Sequence, residues 1–252
     1  TTIQVGQRHM IRIKRGLDLP IAGAPRQAVE PGPGVRSVAV LGGEYVGMKP
    51  TMEVWEGDRV RKGQLLFTDK KTEGVRYTAP AAGTIRAIHR GRKRVLQSVV
   101  IDVDAEEDEE TFSSFASDEL DRLSRDQVRD QLVESGEWTL LRTRPFGKVP
   151  ELDGQPNSIF VTAMDSNPLA PDPALVITEH EQAFRDGLTV LGKLTEGPVW
   201  VCRRPQDGAP LFGGGQIREE SFAGPHPAGN AGTHIHFLDP VGPFKTVWTI
   251  GY

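Results

Sequence analysis

Three histidines near the C-terminal end of the sequence are the residue types best suited to holding a metal ion. His234 and His236 stand two apart in THIHFL (233–238), a run that alternates like a strand and would turn both rings to one face. His226 could supply a third ligand. No carboxylate or cysteine stands at a matching spacing, and the neighbouring Pro and Gly residues also fit a structural turn. We therefore expect no metal site and keep these histidines only as candidate ligands.

Other residues with possible chemistry also have simpler structural interpretations. Asp69-Lys70 imitates the modified-lysine turn of lipoyl carriers, but Lys71 follows it, so we expect a solvated charged turn and keep lipoylation of Lys70 as an alternative. Cys202 ends an apolar run that predicts a buried strand, where a thiol packs rather than reacts. The glycine run at 213–215 lies in a polar, irregular region, and neither a G-x-G-x-x-G after a strand nor a P-loop is present. We expect a loop there, not a phosphate cradle.

Composition excludes several classes of protein. The 252 residues carry a net charge of −4, which gives no basic footprint for nucleic acid. No apolar run approaches the ~20 residues of a membrane span, so any membrane role should be peripheral and indirect. A single cysteine rules out an internal disulfide and a Cys-based metal cage, and fits a reducing, cytoplasmic compartment. The 28 Gly and 19 Pro predict a loop-rich protein.

The stretch 46–103 predicts a compact β domain around which the chain is organised. Short apolar runs alternate with turn residues such as Gly57-Asp58, Gly63 and Gly83 every eight to twelve positions. The halves GDRVRKGQLL (57–66) and APAAGTI (79–85) resemble the barrel-sandwich hybrid of lipoyl and biotinyl carriers. We assign this β domain to residues 10–103, after a leader at 1–9 that precedes the apolar alternation beginning at Met10.

An α/β domain should follow an acidic linker. Residues 102–110 hold seven carboxylates in nine positions, typical of a solvated segment, so 104–123 is assigned as the linker. A capping box at Ser124 to Gln127 opens a helix that Gly136 stops. Apolar strands at 158–164 and 199–202 flank a second helix at about 178–194, which predicts a parallel sheet covered by helices over 124–252. Further strands are expected at 233–238 and 245–250. Because no covering helix follows the last strand, we expect this domain to be truncated at residue 252.

Taken together, these blocks resemble the A subunit of the bacterial Na⁺-translocating NADH:quinone oxidoreductase, over its N-terminal half. More distantly the layout resembles the NADH-binding flavoprotein of respiratory complex I and the C subunit of the Rnf complex, so the second domain is expected to be flavoprotein-like. The segments that carry the closer resemblance are IRIKRGLDLPIAG (11–23), LGGEYVGMKPTMEV (41–54), RGRKRVLQSVVI (90–101), WTLLRTRPFGKVP (138–150), IFVTAMDSNPLA (159–170) and AGPHPAGNAGTHIHFL (223–238).

The resemblance also bears on cofactors. In the complex I flavoprotein a Gly-rich loop after the first helix cradles flavin and nucleotide phosphates. Here the equivalent place, residues 138–146, has no glycine before Gly147, and side chains would keep the backbone amides away from a phosphate. We expect this chain to bind no redox cofactor of its own.

A quinone site is the remaining candidate. A quinone needs an apolar slot and donors aimed at its carbonyl oxygens, and two segments together offer that mixture. The family implies quinone contact at Leu41–Met48 and at Phe146–Asp153. The equally open alternative is that these residues serve domain packing and subunit docking. The candidate residues are Leu41, Gly42, Gly43, Glu44, Tyr45, Val46, Gly47, Met48, Trp138, Arg142, Arg144, Phe146 and Lys148.

The resemblance implies a peripheral protein on the cytoplasmic face of the bacterial inner membrane, attached through the other subunits of the complex, especially its B subunit in the membrane. Ubiquinone would be the substrate of the whole complex, and this chain alone should catalyse none of its reactions. Two alternatives remain: an NADH- or FMN-binding dehydrogenase module, and a carrier domain with lipoyl-Lys70.

Overall fold

The computed structural model describes residues 10–205, 208 and 210–251 and divides the chain into two compact units. Residues 31–154 form the barrel unit; the described residues before 31 and after 154 form the α/β unit. In chain order the elements are β1 (Met10–Arg12), β2 (Ser37–Leu41), β3 (Pro50–Met52), β4 (Arg59–Val60), β5 (Leu65–Asp69), β6 (Arg76–Thr78), β7 (Gly83–Arg90), β8 (Leu96–Val103), α1 (Arg125–Ser135), β9 (Arg142–Arg144), β10 (Ile159–Ala163), α2 (Pro173–Glu179), α3 (Glu181–Gly192), β11 (Val199–Arg203), β12 (Ile217–Ala223), α4 (Ala231–Leu238) and β13 (Val247–Gly251).

The barrel unit is built from two small antiparallel sheets, as its regular turn spacing predicts. One has the strand order β2-β8-β7-β4 and the other β3-β5-β6. The core between them includes Leu66, Phe67, Tyr77, Ile85 and Ile101, each at most 2% exposed. The predicted barrel-sandwich domain is confirmed.

Helix α1 begins and ends where its sequence signals place it. The Ser124 hydroxyl accepts a hydrogen bond from the Gln127 amide, and the Gln127 side chain accepts one from the Ser124 amide, completing the capping box. Gly136 ends the helix in the left-handed region, with φ of 87°. The Thr78 hydroxyl donates to the Ser135 carbonyl at 2.9 Å, so α1 is tied to β6 and belongs to the barrel unit.

The α/β unit has a parallel sheet with the strand order β1-β12-β11-β10-β13. Strands β10 and β11 are almost wholly buried, as expected for strands with both faces covered. Phe160, Met164, Cys202 and Phe222 lie in its apolar core. The Cys202 thiol is fully buried, which raises its pKa and fits inert packing.

The compact units differ from the domain boundaries expected from the sequence. Strand β1 was assigned with the barrel but pairs in parallel with β12, Met10 opposite Ser221. Residues 104–123 and α1 group with the barrel unit. Apolar alternation and turn spacing reflect only local structure. The position of β1 is instead set by its pairing with β12, about 210 positions away in the chain.

Three element predictions in the α/β unit need correction. The helix expected at 178–194 is two helices, α2 from Pro173 and α3 to Gly192, with the break at His180. The region around the glycine run at 213–215 was expected to be irregular, but β12 begins just after it, at Ile217. That strand was missed because Glu219 and Glu220 interrupt its apolar pattern; the Glu219 carboxylate is paired with Arg203 at 3.4 Å.

The expected strand at 233–238 is wrong, because these residues form most of α4. Its first turn is closed by hydrogen bonds from the Thr233 and His234 amides to the Asn230 carbonyl. The helix buries His234 and Ile235 and packs Leu238 against the core, a spacing of three to four residues. In a segment of six residues the alternation of THIHFL does not distinguish this pattern from a strand.

Candidate functional site

The loop after β2 holds Tyr45 at the edge of the barrel unit. Residues Gly42–Glu44 make a single 3-10 turn, and the Met48 amide bonds to the Tyr45 carbonyl at 3.2 Å. A Cβ on Gly42 would lie 2.2 Å from the Leu96 carbonyl oxygen, so only glycine lets this turn approach β8 so closely. The turn therefore fixes where the Tyr45 ring lies.

Tyr45 belongs to an aromatic group whose other members come from the second sheet. Its ring meets Tyr77 edge-on at 4.7 Å between centroids, and Tyr77 stacks on Phe67 at 4.6 Å. The Arg142 guanidinium carbon lies 5.2 Å from the Tyr45 ring centroid. Two of the predicted site residues, Tyr45 and Arg142, are therefore in direct contact although 97 positions separate them in sequence.

The second predicted segment forms a turn beside this group. The Thr143 amide bonds to the Lys148 carbonyl and the Gly147 amide to the Thr143 carbonyl, both at 2.7 Å. Phe146 at the tip is 74% exposed. A Cβ on Gly47 would lie 3.8 Å from Lys148 Cε, so this turn also approaches the Tyr45 loop.

Trp138, another predicted site residue, is not exposed at this surface. Its side chain is fully buried, and its indole N–H donates to the Pro150 carbonyl at 2.9 Å. It can stabilise the segment that carries Arg142 and Lys148, but its buried ring offers no accessible atom to a ligand. The predicted set thus divides into a supporting residue and residues with accessible atoms.

A cleft of about 670 Å³ opens beside Tyr45 and Tyr77, and we name it the Tyr45 cleft. Its walls come from β6, from the end of α1 and from the segment at 109–114. Ligand pockets in proteins commonly have volumes of ~300–1,000 Å³. Sequence reasoning missed most of its lining, because no local pattern links these residues: Lys62, Tyr77, Thr78, Phe112, Glu137 and Leu140.

The acidic segment 104–116, which we name the strap, closes one side of the cleft. Arg61 contacts Glu110 at 2.6 Å, and Lys62 lies 3.8 Å from Glu109. Phe112 packs over Gly63, and the Gln131 side chain donates to the Ser113 carbonyl at 2.8 Å. The carboxylates expected to be a solvated linker are therefore partly used to hold the strap on the barrel.

One residue that lines the cleft, Tyr77, has a polar group without a partner among the described residues. The Tyr77 hydroxyl is buried and makes no hydrogen bond to the described residues, and Tyr77 is 2% exposed. Burial raises its pKa, and the nearby Asp69 carboxylate raises it further. At neutral pH this hydroxyl is protonated, so it is a hydrogen-bond donor without an acceptor among the described residues. Burial also raises the pKa of the Glu137 carboxyl on the wall.

Part of the segment 138–146, where no phosphate cradle was expected from the sequence, is buried. Trp138, Thr139 and Leu141 are buried. The Thr139 amide bonds to the Gly136 carbonyl at 3.1 Å and the Leu141 amide to the Trp138 carbonyl at 3.3 Å. These two amides are already engaged within the chain.

The histidines considered as metal ligands lie in different surroundings. His234 Nε2 is 2.9 Å from the Ala228 carbonyl, and burial lowers the pKa of this imidazole to about 4. His226 Nδ1 lies 3.0 Å from the Ser166 hydroxyl. Because 233–238 is helical, His234 and His236 do not share the strand face on which the metal interpretation depended. Within the described ranges no group of three or more His, Cys, Asp or Glu residues is placed to hold a metal ion.

Comparison with known proteins decides the family. A model described as the NqrA N-terminal barrel-sandwich hybrid domain matches residues 11–104, and one described as the NqrA second alpha/beta domain matches residues 123–252. The chain belongs to the NqrA family. Among curated relatives, the A subunit of the Na(+)-translocating NADH-quinone reductase of Alcanivorax borkumensis is 71% identical over 243 residues. The proteins of the same name from Saccharophagus degradans and Hahella chejuensis are 61% and 60% identical.

Each of these matches covers 96% of this chain and 54% of the relative, so the chain spans about half the length of the proteins it resembles. The resemblance to this family predicted from the sequence is confirmed. Among the residues the structure describes, no helix is long and apolar enough to cross a bilayer.

Proposed function

We propose that this chain is part of a peripheral component of a Na⁺-pumping NADH:ubiquinone oxidoreductase and takes part in quinone interaction and in assembly. The observation that supports it most is the Tyr45 cleft, in a chain of the NqrA family, with Tyr77 among its lining residues and the Tyr77 hydroxyl buried without a partner among the described residues. The protein lies on the cytoplasmic face of the bacterial inner membrane. It is held there by the other subunits of the complex, especially the B subunit in the membrane.

The chemistry of the cleft suits a quinone head group. The flat ring needs apolar walls, which Tyr45, Phe112 and Leu140 offer. Each quinone carbonyl accepts a hydrogen bond, and the Tyr77 hydroxyl is a donor with no competing partner among the described residues. An acceptor entering the cleft would relieve the cost of burying that hydroxyl, which is about 1–3 kcal/mol for an unsatisfied group.

The turn at Phe146 is the second part of the proposed quinone site. Its exposed ring provides apolar area for a ring or isoprenoid tail, and Arg144 precedes it in the chain. Docking of another protein of the complex on this turn is the competing role, since an exposed aromatic residue serves either purpose.

No redox cofactor is assigned to this chain. The amides of Thr139 and Leu141 are hydrogen-bonded within the chain and lie beside the buried side chains of Trp138, Thr139 and Leu141, which argues against a phosphate at these amides. NADH or FMN titrated into the protein should accordingly give no saturable calorimetric signal.

Photo-crosslinking of a quinone analogue in the assembled complex tests the quinone role. Labelled peptides should contain Leu41–Met48, Phe146–Asp153 or the cleft residues near Tyr77, and excess ubiquinone should suppress the label. Labelling confined to other subunits, in a complex that turns over normally, would show that this chain serves assembly alone.

A further inference from the structure

The hairpin between β7 and β8 concentrates positive charge at its tip. Residues 84–98 contain five Arg or Lys residues and no Asp or Glu, although the chain as a whole has a net charge of −4. Four of the five lie within the turn itself and are exposed: Arg90, Arg92, Lys93 and Arg94. We name residues 90–95 the basic tip.

The backbone of the basic tip is ordered without using these charges in ion pairs. The Gly91 amide bonds to the Val95 carbonyl at 2.8 Å, and the Arg94 amide to the Gly91 carbonyl at 3.0 Å. The Arg90 guanidinium donates to the Arg94 carbonyl at 3.3 Å. Within the described part of the chain, no ion pair involves the four cations of the tip; Arg86, at the base of the hairpin, is instead paired with Asp102 at 2.9 Å.

Two carboxylates on the adjoining loop are already bound to backbone amides. Glu56 accepts from the Ile88 amide and Asp58 from the Trp55 amide, both at 2.7 Å. The Glu56 bond ties the loop to β7, and the Asp58 bond closes a turn within the loop. The tip therefore keeps its charge available for an external anion.

Apolar side chains accompany the charge. Val95 in the tip is 63% exposed, and Trp55, on the loop fastened to β7, is 68% exposed. An exposed indole and aliphatic side chain next to clustered Arg and Lys is the combination found at the level of lipid head groups. A carboxylate-bearing protein partner would engage the cations but gives no reason for both apolar side chains to be exposed.

We propose that the basic tip, with Trp55, contacts the anionic phospholipid head groups of a membrane surface directly. The sequence-based expectation of indirect contact relied on the absence of an apolar run long enough to span a membrane, and it did not consider a basic hairpin at the surface. Such a hairpin supplies electrostatic attraction to anionic head groups without a span. Contact of this kind is weak, strengthens protein-mediated attachment and falls with ionic strength.

Vesicle co-sedimentation of the full-length protein tests this directly. The protein should bind vesicles of phosphatidylcholine containing phosphatidylglycerol, should not bind phosphatidylcholine alone, and should be released by high salt. The triple variant Arg92→Gln, Lys93→Asn, Arg94→Asn should bind about a hundredfold more weakly, at roughly fivefold for each charge removed. Asn is chosen because residues 93 and 94 have φ of 57° and 61°, a region that Asn tolerates.

The matched control is Lys70→Gln with Lys71→Gln, which removes charge from an exposed turn on the same unit that contains no exposed Trp or Val. This control should bind anionic vesicles within about twofold of the parent, a small change for two charges that do not face the lipid. Trp55→Ala should weaken vesicle binding without altering the thermal midpoint. The proposal is overturned if the parent does not bind anionic vesicles or if both charge variants lose binding equally. It is also overturned if the triple variant loses binding to polyglutamate while its vesicle binding is unchanged.

Discussion

The Tyr77 hydroxyl and the His234 imidazole are both buried and both have an atom without a partner among the described residues, yet their surroundings differ. Tyr77 is one of the residues that line the Tyr45 cleft, although its hydroxyl is itself buried. His234 lies 4.4 Å from the Phe222 ring centroid, in the apolar core of the α/β unit. A buried polar group without a hydrogen-bond partner indicates a ligand when its residue lines a cleft. In an apolar core, an imidazole of this kind instead makes the stability of the fold depend on pH.

The largest change in the free energy of unfolding is expected at the buried Trp138. Trp138→Ala should lower the free energy of unfolding by about 3–5 kcal/mol, because it leaves a large cavity and an unpaired Pro150 carbonyl. Urea unfolding followed by fluorescence measures this. Trp55→Ala is the control: its side chain is 68% exposed, so the loss should stay within about 0.5 kcal/mol. Equal losses would contradict the division between supporting and accessible aromatic residues.

The second prediction concerns the pH dependence of His234. Its pKa is about 4 when folded, against an ordinary value of 6.5, so the unfolded chain binds the proton more readily between these values. Stability should therefore be fully present above pH 6.5 and fall by about 3 kcal/mol as the pH drops to 4. His234→Gln can keep the bond to the Ala228 carbonyl without titrating. Urea midpoints across this range should show a shallower slope for the variant, and parallel slopes would refute the assignment.

The third prediction tests whether the exposed part of the site binds quinone. Phe146→Ala in the full complex should raise the apparent KM for ubiquinone about ten- to a hundredfold, from a loss of roughly 1–3 kcal/mol of apolar contact. Arg144→Leu should act in the same direction. NADH oxidation by an artificial acceptor at the flavin-bearing subunit provides the control and should not change. Unaltered quinone kinetics in a normally assembled complex would make the turn a docking element.

The smallest change in the free energy of unfolding is expected at Tyr77, and it tests whether the Tyr77 hydroxyl serves a ligand. Tyr77→Phe should leave the unfolding free energy unchanged or raise it by about 1 kcal/mol, because it removes a buried hydroxyl that has no partner among the described residues. The apparent KM for ubiquinone should nevertheless increase severalfold. A strong loss of stability would show instead that the hydroxyl is already satisfied within the protein.

Local chemistry in the sequence predicted much of the fold correctly. The capping box at Ser124 and the stop at Gly136 determine α1, because each side chain or φ value acts within a few residues of its own position. The buried strands β10 and β11 followed from continuous apolar runs. Tyr45 and Arg142 were also nominated, from the residue types that suit a quinone, but the sequence did not indicate that the two side chains touch.

The tertiary structure alone decided which of these residues meet. Pairing of β1 with β12, the contact of Arg142 with Tyr45, and the place of Tyr77 at the cleft join residues that no sequence period links. Glu219 could enter a buried strand because Arg203 compensates its charge. Residues 233–238 became helical because their buried positions fit one face of a helix against the core. Such outcomes depend on the total burial and pairing of distant segments, which a local pattern does not contain.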